Sequence, residues 1–301
     1  MEWKGREQSG NFEDRRGSSS GRPSMGGKTM LGGGLGGIGL ILVIAYVLFT
    51  GDTSMIDDMM GGGQSPSGNN QVTHDESNSE NLSEQDKERE EFLRVVLNDT
   101  EVIWSDIFKQ NNEQYDPTTL VLYTNNVASG CGNASSQMGP FYCPADEKIY
   151  IDTSFMDQLS DQFGAKGDFA MAYVLAHEVG HHIQRLTGYT DAVHGKRNSL
   201  PEKEYNKYSV ALELQADFYA GIYAHYSDEK LGVVEEGDIE EAMNAAHAVG
   251  DDTIQEKHMG EADPDSFTHG TSEQRMKWFM KGYKTGDISQ GDVFKAHDLK
   301  L

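Results

Sequence analysis

The chain has 301 residues with 49 acidic and 25 basic side chains, a formal net charge of −24, and 37% hydrophobic residues. This length is enough for one large domain or two small ones with a real core. The strong negative charge excludes nucleic acid and an anionic membrane surface as partners, and two cysteines are too few for an all-cysteine zinc site.

The N-terminal part has no globular pattern. Residues 1–30 are rich in Gly, Ser and Arg, and we expect a disordered cytoplasmic N-terminus. Residues 31–50 carry no charge and have about the length that spans a bilayer. A buried core helix is disfavoured by the glycines and the polar flanks. A cleaved signal peptide is disfavoured by the long basic segment before the span and by the lack of a small-x-small cleavage pattern.

We therefore predict a single transmembrane anchor over residues 31–50. Basic residues precede the anchor and acids follow it, so the positive-inside rule places the body in the periplasm or outside the cell. The glycines at 32 and 36, and at 33 and 37, have the spacing that pairs membrane helices, which allows a homo-oligomer. Residues 51–85 are expected to form a flexible linker.

A regular spacing of apolar residues begins near residue 86 and predicts a mainly α-helical α+β domain over residues 86–301. Apolar residues between Phe92 and Ile107 predict two helices, broken near residues 98–100. Strands are predicted at 120–124 and 148–152. Further helices are predicted at about 167–187, 202–226, 239–248 and 272–283, where Thr271 or Ser272 can cap the last one.

The two cysteines lie between the predicted strands. Outside the cytoplasm a Cys131–Cys143 disulfide is expected. Closing so short a loop contributes roughly 3 kcal/mol in the chain-entropy model. The alternative is two free buried thiols.

The helix at 167–187 contains a His-Glu-x-x-His sequence. His177 and His181 are four residues apart, so both imidazoles lie on one helical face and can bind one ion, while Glu178 can act as general base on a zinc-activated water. One catalytic zinc ion needs a third protein ligand. Glu213, on a second helix, is the best candidate, and Asp217 one turn further can support a ligand histidine. His182 is rotated by about 100° from His181 and receives no ligand role.

From about residue 86 to 283 the chain resembles the neutral zinc metallopeptidase family, the YpfJ-like proteins. The segments that carry the resemblance are residues 129–132, 139–144, 177–184, 213–217 and 268–275. The His-Glu-x-x-His and Glu-x-x-x-Asp pair is more remotely similar to HtpX-type proteases. This resemblance implies a zincin-like domain with Glu213 as zinc ligand and Asp217 behind it. Thr268-His269-Gly270 resembles their Thr-His-Pro segment, with Gly in place of Pro, and suggests a catalytic role for His269.

These residues predict a gluzincin-type metallopeptidase, with a protein or peptide as substrate. The oxyanion would be held by zinc and by His269, Arg275 or a tyrosine, although Arg275 also fits a helix-surface or buried salt-bridge residue. The strand around residues 149–151 is a candidate edge for an extended peptide. Two alternatives are a non-catalytic, zinc-stabilised binding module and a zinc amidase acting on a non-peptide or cell-wall amide.

Overall fold

The computed structural model describes residues 1–17, 82–161 and 164–301. The α-helices of this part are α1 (Glu84–Gln110), α2 (Phe155–Asp161), α3 (Asp168–Leu186), α4 (Tyr189–His194), α5 (Glu202–Glu229), α6 (Asp238–Ala248), α7 (Asp251–Met259), α8 (Ser272–Thr285) and α9 (Val293–Ala296). The strands are β1 (Phe12–Asp14), β2 (Thr119–Tyr123), β3 (Asn126–Ser129), β4 (Gly132–Ser135), β5 (Phe141–Cys143) and β6 (Lys148–Asp152). The prediction of a mainly helical α+β domain with a small sheet is confirmed.

The larger sheet has the strand order β1-β2-β6-β5, and a separate β3–β4 hairpin lies beside it. β1 and β6 both pair with β2 in parallel, whereas β5 is antiparallel to β6. The prediction that the strand around residues 149–151 is an edge for a peptide is therefore wrong, because β6 has hydrogen-bonded strands on both sides. The edge strand β5 is itself buried.

Residues 1–17 belong to the folded domain, so the prediction of disorder is wrong for this segment. Phe12 of β1 pairs with Leu120 of β2. Arg6 donates to the buried carboxylate of Asp99 at 2.5 Å, and the buried Arg16 pairs with acids that include Glu90. The polar composition of the segment suggested disorder, but Arg6 and Arg16 form ion pairs with carboxylates of α1.

The predicted membrane topology is also wrong. Within residues 1–17, 82–161 and 164–301, no helix is long and apolar enough to cross a membrane. The predicted anchor and its glycine spacing, residues 31–50, lie outside the described part of the chain, as does most of the predicted linker. Because residues 12–14 share a sheet with 119–123, one crossing between them cannot place the N-terminus and the domain on opposite sides. The basic residues used for the positive-inside argument include Arg6 and Arg16, which form ion pairs inside the fold.

α1 is one continuous helix of 27 residues, although two helices were predicted. Its Asn98-Asp99-Thr100 segment does not break it. The hydroxyl of Thr100 donates to the carbonyl of Leu97 at 2.6 Å within the helix, and the side chain of Asp99 pairs with Arg6. Both polar groups are thus satisfied without interrupting the backbone ladder.

The core helices α3, α5 and α8 pack with little space between their backbones. A Cβ added at Gly221 of α5 would lie 2.0 Å from the carbonyl oxygen of Phe279, and one at Gly282 of α8 would lie 2.1 Å from that of Phe218. A Cβ on Gly180 of α3 would already be 3.0 Å from the Ala216 carbonyl oxygen. This close approach brings polar side chains from three helices into one buried cluster.

The predicted disulfide is present. Cys131 follows β3 and Cys143 ends β5, with Cα atoms 5.8 Å apart. The bond therefore ties the turn of the β3–β4 hairpin to the edge of the larger sheet. Neither residue is a free thiol.

Candidate metal centre

Two histidines of α3 present their Nε2 atoms to one point. The Nδ1 of His177 lies 2.8 Å from Asp217 Oδ1, and the Nδ1 of His181 lies 2.9 Å from Gln184 Oε1. Because each Nδ1–H donates to an oxygen, each neutral ring keeps an Nε2 lone pair for another partner. α3 delivers both rings because residues four apart lie on one face.

Glu213 of α5 supplies a carboxylate at the same point. Its Oε2 lies 3.2 Å from His177 Nε2, and its Oε1 lies 3.6 Å from His181 Nε2. Each of the three residues offers one donor atom, and these three atoms all lie within 4.8 Å of one another. The structure thus brings together the three residues predicted as metal ligands.

The donor set fits zinc. Catalytic zinc takes three nitrogen or oxygen ligands at about 2.0–2.2 Å, which in a tetrahedron puts the donors about 3.3–3.6 Å from each other. Within the described residues, the buried His181 Nε2 has no hydrogen-bond partner, and a cation would satisfy it. Burial alone raises the pKa of Glu213, but nearby His181 and His269 outweigh it and hold the pKa well below its usual range. A carboxylate held ionised beside two imidazoles is suited to a divalent cation.

Asp217 and Arg275 form a buried ion pair behind His177. Arg275 Nε–H donates to Asp217 Oδ2 at 2.8 Å and its Nη2–H donates to Oδ1 at 2.9 Å. The Tyr173 hydroxyl also donates to Oδ1, at 2.6 Å. Burial raises the pKa of Asp217, but Arg275 and His177 outweigh it and lower the value to about 2. Of the roles considered for Arg275, the structure shows the buried salt bridge.

Two residues around the histidines were missed by sequence reasoning, Gln184 and Tyr173. The amide group of Gln184 donates to the Leu212 carbonyl at 2.6 Å and to Gln215 Oε1 at 3.1 Å, which turns its own oxygen towards His181. Gln184 lies three residues after His181, and Tyr173 lies four before His177. Helical spacing from the motif is the signal that could have identified them.

Glu178 lies in the same buried region with a free oxygen. Its side chain is 1% exposed, and in the described part of the chain its Oε1 has no hydrogen-bond partner. Burial raises the pKa of Glu178, whereas the neighbouring histidines and the Tyr142 backbone N–H oppose that shift. A desolvated carboxylate with a raised pKa is a better proton acceptor than an exposed one.

His182 has a structural role away from this cluster. Its Nδ1 is 3.0 Å from the Tyr142 hydroxyl and its Nε2 is 2.7 Å from the carbonyl oxygen of Asp116. Both ring nitrogens are therefore used, and His182 joins α3 to β5. The sequence argument, which gave His182 no ligand role, agrees with this placement.

His269 comes to the centre from the turn before α8. The ring is fully buried, its Nδ1 lies 3.2 Å from Asp251 Oδ1, and its Nε2 has no partner among the described residues. Burial lowers the pKa of His269, but the charges of Asp251 and Glu213 outweigh it and raise the pKa. The charge of Glu213 thus acts on the His269 ring within the same buried region.

Comparison with known proteins extends the resemblance to nearly the whole chain. The family model described as "Putative neutral zinc metallopeptidase" matches residues 1–294. The chain is 43% identical over 295 residues to the uncharacterized protein YpfJ of Escherichia coli strain K12, covering 98% of this chain and 99% of that protein. It is 42% identical over 219 residues to the uncharacterized protein Rv2575 of Mycobacterium tuberculosis, covering 68% of this chain and 71% of the relative. No solved structure matches. With a match of this extent and these donors in place, the chain belongs to the neutral zinc metallopeptidase family.

Proposed function

We propose that this protein is a zinc-dependent endopeptidase of the gluzincin type, built on a zincin-like domain. The observation that carries the proposal is the buried set of His177, His181 and Glu213 with the free carboxylate oxygen of Glu178 beside it. Family membership supports zinc as the metal. Two imidazoles and one carboxylate leave a fourth zinc position open, as hydrolysis requires.

His177, His181 and Glu213 would hold the ion. Zinc bound there would polarise the scissile carbonyl and lower the pKa of a water molecule towards about 7. Glu178 accepts the proton of the attacking water and passes it to the leaving amine. The free Nε2 of His269 is available as the side-chain donor to the developing oxyanion. Asp217 and Gln184 keep the two imidazoles in the tautomer that leaves Nε2 unprotonated.

The first test is the Glu178→Gln variant of the full chain, digesting a casein or peptide-library substrate. Removing a general base costs about 10²–10⁴-fold in rate, so we expect kcat to fall by at least 100-fold while one zinc per chain is retained. Glu202→Gln, an exposed carboxamide substitution at the start of α5, is the matched control and should hydrolyse like the parent. Unchanged hydrolysis by Glu178→Gln would remove Glu178 as the base.

The same digest separates the two alternatives. A zinc-stabilised binding module would bind one zinc but cleave no peptide with either variant. A zinc amidase would leave casein intact and cleave a cell-wall amide, and this cleavage would stop with a chelator. Cleavage-site mapping of internal peptide bonds distinguishes an endopeptidase from an exopeptidase.

A further inference from the structure

The turn that carries His269 is held by a single carboxylate, that of Asp251. The backbone N–H groups of Thr268, His269 and Gly270 donate to Asp251 Oδ2 at 2.8, 2.7 and 3.1 Å. The backbone N–H of Asp251 donates in return to the Gly270 carbonyl at 2.9 Å. Three consecutive backbone N–H groups that donate to one oxygen fix the path of the turn.

The second oxygen of Asp251 fixes the imidazole itself. Oδ1 lies 3.2 Å from His269 Nδ1, and the Thr268 hydroxyl lies 2.8 Å from the same nitrogen. With Nδ1–H donating to this side, the opposite nitrogen Nε2 points away from Asp251. That Nε2 is buried and meets no hydrogen-bond partner in residues 1–17, 82–161 and 164–301.

The turn lies against the segment of α5 that carries Glu213. A Cβ added to Gly270 would be 3.2 Å from Val210 Cγ1 and 3.3 Å from Leu214 Cδ2, which lie three residues before and one residue after Glu213 in α5. Gly270 has φ +91°, a conformation in which L side chains are strained. The turn therefore packs on the stretch of α5 that carries Glu213, and the charge of Glu213 acts on the His269 ring.

We propose that Asp251 is a positioning residue, which holds His269 with Nε2 directed at the carbonyl oxygen of a bound peptide substrate. This inference rests on the proposed peptidase activity and deepens it. Asp251 contacts neither the candidate ligands nor the substrate; it acts through His269. Asp251 is 6% exposed, and these four hydrogen bonds to its carboxylate all come from the turn that carries His269.

The carboxylate of Asp251 beside Nδ1 also favours the protonated form of the His269 ring. Only that form has an N–H at both nitrogens, so only that form can donate from Nε2 while its Nδ1–H is held by Asp251.

The test compares Asp251→Asn with Asp252→Asn on the zinc-loaded full chain. Asp252 is the matched control because its Oδ1 accepts from the backbone N–H and hydroxyl of Ser272, at 2.8 and 2.9 Å, and not from His269. Residues behind a metal site typically change activity by about 10–100-fold. We expect such a fall in kcat for Asp251→Asn with little change in KM. Asp252→Asn should keep the parental kcat and KM.

Two further measurements complete the test. In the double variant with His269→Gln, Asp251→Asn should add little to the loss, because the two residues act as a unit. Long-range ¹H–¹⁵N spectra of His269 give a readout independent of hydrolysis. The parent should show Nδ1 protonated, and Asp251→Asn should lose this fixed Nδ1 protonation.

The outcomes distinguish this inference from the proposed activity. If no substrate is cleaved, the proposed peptidase function fails and the spectra still judge Asp251. An Asp251→Asn protein that keeps the parental kcat and the parental Nδ1 protonation of His269 overturns the inference. If that variant does not fold, the parent spectrum alone decides, since a neutral His269 protonated at Nε2 rather than Nδ1 would also overturn it.

Discussion

Replacing Asp217 with Asn should remove the negative charge that pairs with the buried guanidinium of Arg275. Arg275 is 0% exposed, and its contacts outside residue 217 are the Val249 carbonyl at 3.1 Å, the Tyr173 hydroxyl at 3.2 Å and His177 Nδ1 at 3.4 Å. None of these groups is a carboxylate. Removing one partner of a buried ion pair typically costs about 3–5 kcal/mol, which is a large part of the roughly 5–15 kcal/mol that stabilises an ordinary domain.

The loss of unfolding free energy in Asp217→Asn is measured by urea unfolding of the metal-free full chain, with far-ultraviolet circular dichroism as the signal. Asp228→Asn is the control, because it makes the same substitution on the same helix but affects a half-buried hydrogen bond from the Tyr283 hydroxyl. Its loss should stay below about 1.5 kcal/mol. Adding Arg275→Met to Asp217→Asn should recover stability, because the unpaired charge is then gone.

Zinc affinity provides a second observable for the same substitution. Asp217 accepts from His177 Nδ1, and losing such a partner weakens metal affinity by about 10–100-fold. An Asp217→Asn protein that unfolds within about 1 kcal/mol of the parent, or that is no more stable once Arg275→Met is added, would show that the pair is not desolvated as the structure indicates.

Three other predictions concern the metal, the N-terminal segment and the disulfide. A chelator should abolish hydrolysis and lower Tm, and added zinc should restore both, since metal at 1,000 times its Kd adds about 4 kcal/mol of stability; an unchanged Tm would refute a structural contribution of the ion. Deleting residues 1–17 should cost at least about 3 kcal/mol in urea, because it leaves the Asp99 carboxylate buried without Arg6; an unaltered midpoint would show that the segment is dispensable. Replacing Cys131 and Cys143 with Ser should lower the unfolding free energy by about 3 kcal/mol while zinc content stays at one per chain; loss of the metal would contradict a purely structural bond.

The metal centre could be predicted from the sequence because its residues recur at helical spacing. His177 and His181 share a face of α3, and Glu213 and Asp217 share a face of α5, so each helix carries its pair wherever it packs. The resemblance to a known family added the expectation that the two faces meet. Tyr173 and Gln184 remained hidden because a phenol or an amide on an apolar helix face looks like any other core residue until its partner is known.

The N-terminal segment could not be placed for a different physical reason. β1 spans only Phe12–Asp14 and pairs with a strand more than 100 residues further along the chain. Nothing local marks a three-residue strand, and a composition rich in Gly and Arg is typical of unfolded segments. Ion pairs with carboxylates of α1 help to hold the segment, so its order depends on tertiary contacts that local sequence does not reveal.

The glycine contact between α5 and α8 has a consequence for how inactive variants should be interpreted. Gly221 lies one turn beyond Asp217, and Gly282 lies two turns beyond Arg275, so any wedge between them also separates the ion pair. Neither glycine has a side chain that could take part in catalysis. A mutational scan would nevertheless score substitutions at both positions as severely as substitutions of the ligands. Direct measurement of bound zinc and of the Asp217–Arg275 coupling would distinguish a variant with a displaced helix from one that has lost a ligand.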